Sequence, residues 1–162
     1  MKYTRNNYII SIKLLTILIL LINCSSNKKD NETIISNDIE TYKSGLSSLQ
    51  DSDYSKAVKE FDKLYINHPF SSLAKKSEIM TAYSLYQNNE INKSISKLKT
   101  FNEMNPKDEF SDYAHYLLAM CYYIQISNQG RDPSLSLKAL NSFKLITTKY
   151  PNSKYAKDSK LK

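Results

Sequence analysis

Glycine is nearly absent from this chain, with only Gly45 and Gly130 in 162 residues, and tryptophan is missing altogether. Two glycines are too few to write a phosphate-cradling loop, a dinucleotide-binding fingerprint or a G-x-S-x-G nucleophile elbow, so whole enzyme classes drop out. Four prolines leave little material for the turns of a many-stranded sheet. The two cysteines exclude a disulfide framework. The two histidines, His68 and His115, stand in no metal-ligand spacing, and Asp51 and Asp53 fail as a calcium loop because Lys56 occupies the position that needs glycine. No metal, cofactor or catalytic residue is expected.

What is present is ordinary for a folded body: 41% hydrophobic and 24% charged residues. The net charge is +7, but Lys2, Arg5 and Lys13 belong to the leader, and the remainder carries 20 basic against 16 acidic residues, or +4. The lysines are scattered rather than run together, so solvated helix faces explain them and a nucleic-acid partner is not expected.

Met1 to Asn7 is basic, and Leu14 to Ile22 is apolar apart from Thr16. That stretch is too short to span a bilayer of about 30 Å and reads as a secretory signal. It ends in Leu21-Ile22-Asn23-Cys24, which resembles the lipobox of bacterial lipoproteins, with Asn23 where a smaller residue is usual. That resemblance implies a signal peptide over 1–23 and a Cys24 that carries a diacylglycerol thioether and an N-acyl chain. Each buried methylene adds roughly 0.8 kcal/mol, so several acyl chains hold such a protein at a membrane. Residues 24–36 are polar and are expected to be a flexible tether.

From residue 37 onward the chain repeats itself. Gly45, Ala82 and Ala119 recur every 37 residues, and Pro69 and Pro106 share that spacing. Ala57, Val58, Phe61 and Leu64 match Ser94, Ile95, Leu98 and Phe101, then Ala139, Leu140, Phe143 and Ile146 before Pro151. Apolar residues within each segment fall at steps of three and four, which is the period of an amphipathic helix, and the prolines stop those helices. First helices are expected at 38–50, 72–87 and 111–127, and the last second helix at 134–150, with Asp132-Pro133 as its cap and first turn. The fold class is therefore all-α, a tetratricopeptide-like helical-repeat solenoid. Its units cover about 37–70, 71–107 and 108–151, and a fourth starts at 152–162. The small residues at 45, 82 and 119 let paired helices approach closely. Cys121, in the apolar run Tyr116 to Ile124, is expected in the core.

Several ordered segments carry a more specific resemblance. Asp53-Tyr-Ser-Lys-Ala-Val-Lys-Glu-Phe-Asp-Lys-Leu64, His68-Pro-Phe-Ser71, Met80-Thr-Ala-Tyr83, Asn105-Pro106, Asp112-Tyr-Ala-His-Tyr116, Arg131-Asp-Pro133 and Tyr150-Pro-Asn-Ser-Lys-Tyr155 are together similar to the BamD family. These are the lipoprotein subunits of the β-barrel assembly machinery. The resemblance implies a non-enzymatic scaffold in the outer membrane, lipid-anchored and facing the periplasm. Its implied partners are BamA-like POTRA domains, other subunits of the machinery, and unfolded outer-membrane β-barrel proteins. Carried to this sequence, the partner-binding candidates are Tyr42, His68, Pro69, Phe70, Ser71, Tyr83, Arg131 and Asp132. The family usually has five repeats, so the array is expected to lack later surface and to expose an apolar flank on 134–150. A different periplasmic repeat lipoprotein, pilotin-like or a cell-envelope scaffold, is the competing reading.

Overall fold

The computed structural model describes the backbone of residues 28–128 and 133–162, and side chains over 37–126 and 133–162. Those residues form seven α-helices: α1 (Lys28–Gln50), α2 (Tyr54–Asn67), α3 (Ala74–Gln87), α4 (Ile91–Met104), α5 (Ser111–Asn128), α6 (Pro133–Lys149) and α7 (Lys154–Ser159). Residues 1–27, with the expected signal segment and Cys24, and residues 129–132, with Arg131 and Asp132, lie outside the described residues. No helix among the described residues is long and apolar enough to cross a membrane. Chain contacts separate Met1–Ile34 from Ile35–Lys162, and the second unit holds the repeat.

The all-α expectation holds, and the hairpins pair as α1/α2, α3/α4 and α5/α6. One boundary needs correction. Residues 28–36, expected as flexible tether, are helical backbone at the start of α1. Once the segment beyond Asn37 is docked as a helix, each added residue gains a backbone hydrogen bond without a new nucleation cost, so polar residues propagate the helix.

Three of the four aligned second-helix positions are core in every unit. Ala57, Ser94 and Ala139 are buried, as are Phe61, Leu98 and Phe143, and Leu64, Phe101 and Ile146. Burying each of the larger side chains contributes roughly 1.5–3 kcal/mol. The fourth position is half-buried at Val58 and Ile95 and exposed at Leu140. Each cluster draws on the first helix of the following unit. Leu73 and Met80 close the first around Phe61. Ala114, Leu117 and Cys121 close the second around Leu98 and Phe101. Ala156 and Tyr155 close the third around Phe143 and Ile146. The flank of α6 expected to be bare is thus partly covered by α7, while Leu137, Leu140 and Leu145 remain exposed.

The small residues work as the spacing implies. A Cβ on Gly45 would stand 2.6 Å from the Phe61 ring. In the second unit Ser94 Oγ donates to the carbonyl of Ala82 at 2.8 Å, so the two backbones meet through one side-chain atom. Both short hairpin turns have the same design. The amides of Asp53 and Glu90 donate to the carbonyls of Ser48 and Leu85, and Ser52 and Asn89 take φ of 59° and 60°. Asp53 then caps α2 by accepting from the amide of Lys56 at 3.0 Å.

Candidate functional site

The turns that join one unit to the next are built alike. At the end of each second helix His68, Asn105 and Tyr150 donate their amides to the carbonyls of Leu64, Phe101 and Ile146. Proline follows, and the chain reverses on amide-to-carbonyl bonds from Ser71 to His68, Asp108 to Asn105 and Ser153 to Tyr150. A side-chain oxygen at that third point accepts a local amide: Ser71 Oγ from Leu73, Asp108 Oδ1 from Phe110, and Ser153 Oγ from Tyr155. Backbone amides at the start of the next helix, which have no intrahelical acceptor, are thereby satisfied.

Contacts from the first helices brace these turns. Asp38 on α1 lies 3.2 Å from His68 Nδ1, within ion-pair range though not aligned as a hydrogen bond. Lys75 on α3 reaches Asp108 at 2.8 Å, and Ser153 Oγ donates to Asp112 on α5 at 2.5 Å. Asp38, Lys75 and Asp112 are again 37 residues apart. The hydrogen bond and charge of Asp108 hold the Lys75 ammonium above its ordinary pKa.

Of the sequence-stated candidates, His68, Pro69, Phe70 and Ser71 come together as the first of these turns. His68 and Ser71 are half-buried scaffold, Pro69 is exposed, and Phe70 is fully exposed. The equivalent of Phe70 in the other two turns is Lys107 and Asn152, both also exposed. The turn geometry therefore does not require an aromatic residue at that point, and packing does not explain Phe70.

Tyr42 does not belong to an open surface. It is buried, its ring centroid 5.4 Å from that of Phe61, with Lys76 Nζ 5.2 Å above the ring. It sits on the helix face turned toward the partner helix, so core packing outcompetes ligand contact there. Tyr83 is half-buried against the central cluster, and its hydroxyl accepts from Gln87 Nε2 at 2.5 Å. No ring or hydrogen-bond contact joins Tyr83 to the 68–71 turn.

Tyrosines on first helices also form a row, whose contacts helical spacing did not specify. Tyr113 and Tyr116 on α5 both meet Tyr155 on α7, with ring centroids 5.1 and 5.0 Å apart, and Tyr116 also approaches Phe143 at 6.4 Å. The Tyr116 hydroxyl donates to Asp158 at 2.5 Å. Burial pushes the hydroxyls of Tyr113 and Tyr116 far above the usual tyrosine pKa, so these two stay neutral. The available signal was the i, i+3 pair in α5 together with Tyr155 one unit later. Only its partial burial separates that pattern from plain core.

Cys121 is buried, donates to Ser94 Oγ at 3.5 Å, and has its thiol pKa pushed up to about 11 by burial, which makes it an inert core residue. Among the described residues no three His, Cys, Asp or Glu side chains are grouped to hold a metal ion.

His115 on α5 is half-buried against Tyr150, ring centroids 5.7 Å apart, and its buried Nε2 has no hydrogen-bond partner. Burial, assisted by Lys149, drops its pKa from 6.5 to about 4. In the unfolded chain this imidazole takes a proton below about 6.5 while the folded chain refuses it until about 4. Stability linked to His115 is therefore full above pH 6.5 and falls as pH drops toward 4. A His115→Gln chain, followed by urea melts at pH 7 and pH 5, is expected to lose less stability across that interval than wild type. Parallel losses in the two chains would remove His115 as the cause.

Residues 36–162 match the YfiO family, described as outer membrane lipoprotein. The chain is 36% identical over 149 residues to an outer membrane protein assembly factor BamD of Rickettsia prowazekii, covering 92% of this chain and 59% of that protein. It is 32% identical over 121 residues to the protein of that name from Caulobacter vibrioides, covering 75% of this chain and 40% of the relative. Against the Neisseria gonorrhoeae protein of that name, identity is 30% over 128 residues, covering 73% and 48%. The chain spans about half the length of the curated relatives it matches.

Proposed function

The chain belongs to the YfiO family of outer membrane lipoproteins, and from that premise we propose that it is a protein-binding scaffold in outer-membrane protein assembly. In this reading it is held by lipid on Cys24 at the outer membrane, faces the periplasm and catalyses nothing. Its relatives' names, outer membrane protein assembly factor BamD, support the setting. BamA-like POTRA domains and unfolded β-barrel chains are the partners proposed.

The observation that carries a binding role is Phe70. A rigid, hydrogen-bonded turn holds an aromatic ring wholly in solvent where its two structural equivalents are Lys107 and Asn152. A fully exposed Phe sacrifices the burial free energy its ring would otherwise contribute, and a partner's apolar surface restores it. An extended peptide with alternating apolar residues and a terminal aromatic ring offers such a surface.

Fluorescence anisotropy with a labelled peptide of that pattern, ending in phenylalanine, tests the assignment. Phe70→Ala is expected to weaken binding by about tenfold, as loss of an aromatic anchor does. The same change should leave stability within about 0.5 kcal/mol, because the ring packs on nothing. Equal affinity of the two chains would remove Phe70 from the site.

A further inference from the structure

A second surface lies away from the 68–71 turn, between α2, α3 and α4. It is a groove of about 750 Å³ whose walls include Val58, Tyr65 and Leu85, with Asp62, Lys97 and Glu78 as charged lining. That volume is in the range of ligand-binding clefts.

Glu78 is the feature that points to a ligand. Its side chain opens onto the groove, the residue is only 5% exposed, and no hydrogen bond or ion pair to it is formed among the described residues. The other groove charges are already matched. Lys97 Nζ is 2.8 Å from Asp62 Oδ1 and 5.7 Å from the Tyr65 ring centroid, and Lys93 pairs with Glu90. One carboxylate is left over. Burial raises the Glu78 pKa, with the charge of Lys97 opposing and that of Asp62 adding to the rise.

The repeat shows that the fold does not ask for this carboxylate. Thr41 and His115 occupy the same register in the first and third units. Thr41 is a buried neutral side chain, and His115 is closed over by Tyr150 and held neutral by burial. Neither leaves an uncompensated charge facing a cavity. An unpaired, desolvated carboxylate costs stability unless an incoming cation compensates it.

We propose that this groove is a binding site for an arginine side chain of a partner polypeptide, with Glu78 as its anion and Tyr65, Val58 and Leu85 as its walls. Arginine fits better than lysine because its planar guanidinium donates a fork of hydrogen bonds to one carboxylate and stacks on an aromatic face. Its methylene stem fills apolar walls that a bare ion would leave wet. The site is independent of Phe70, so either assignment stands or falls without the other.

The test is a calorimetric and NMR titration of the full chain with an acetylated, amidated leucine-arginine-leucine peptide. The control ligand is the counterpart in which arginine is replaced by uncharged citrulline. The arginine peptide is expected to bind at least tenfold more tightly than the citrulline peptide. Glu78→Gln, which preserves shape, should erase that difference. Ser96→Trp, placed at an exposed position on the groove wall, should block both peptides, and Phe70→Ala should change neither. Failure of the arginine peptide to bind, equal binding of the two peptides to wild type, or an arginine preference that survives either groove substitution overturns the proposal.

Discussion

Gly45→Ala is expected to destabilise the first unit by about 2 kcal/mol, although alanine is the better helix former by about 1 kcal/mol. The added methyl would meet three carbons of the Phe61 ring at 2.6, 2.7 and 2.9 Å. Phe61 has no solvent exposure, and its ring rests on Tyr42 at 5.4 Å, so it cannot swing aside. Either the two helices move apart or the ring leaves its rotamer, and overpacking of this kind costs about 1–3 kcal/mol, occasionally more. The repeat itself supplies the rescue. One unit later the same two positions are Ala82 and Leu98, both buried in one cluster. Phe61→Leu added to Gly45→Ala should therefore restore stability. A double-mutant cycle by urea denaturation is expected to show favourable coupling of at least about 1 kcal/mol. Additive losses would mean that the two sites do not share a contact.

Phe101→Ala should be more severe, at about 3–5 kcal/mol, the usual cost of opening a phenyl-sized cavity in a packed core. Phe101 is 1% exposed in the central cluster, which joins α3, α4 and α5 through Ile79, Ala82, Leu98, Ala114, Leu117 and Cys121. In a repeat array each unit is stabilised mainly by its neighbours, so damage at the middle loosens both sides. A typical domain has only about 5–15 kcal/mol to lose. The measurement is the urea midpoint by circular dichroism. A loss below about 1 kcal/mol would show that the central hairpin does not pack around this ring.

Much of this architecture was legible without coordinates because repetition makes one physical requirement visible three times. The alignment of Phe61, Leu98 and Phe143 identified core positions in each second helix, and the spacing located the close approaches at Gly45 and Ala82 and the buried Ala119. Helix starts were less legible. Residues 28–36 are polar by composition yet continue α1, since propagation from a docked helix needs no apolar face of its own.

The candidate sites divide along the same line. Phe70 could be named from a linear segment, whereas Tyr42 was assigned to a binding face and proved to be core. Helical periodicity places a tyrosine on an apolar stripe but does not say whether that stripe meets a partner helix or an outside ligand.

What the sequence alone determined is the local order: helical period, small residues at fixed intervals, prolines that end each hairpin, and hence the all-α repeat. Each follows from interactions between residues close together in the chain. Which of the repeated positions stay unfilled was decided only by tertiary structure. Phe70 stands in solvent where Lys107 and Asn152 are its equivalents, and Glu78 faces a groove where His115 is closed over by Tyr150. Exposure and charge pairing depend on side chains tens of residues away, and a one-dimensional period carries no information about them.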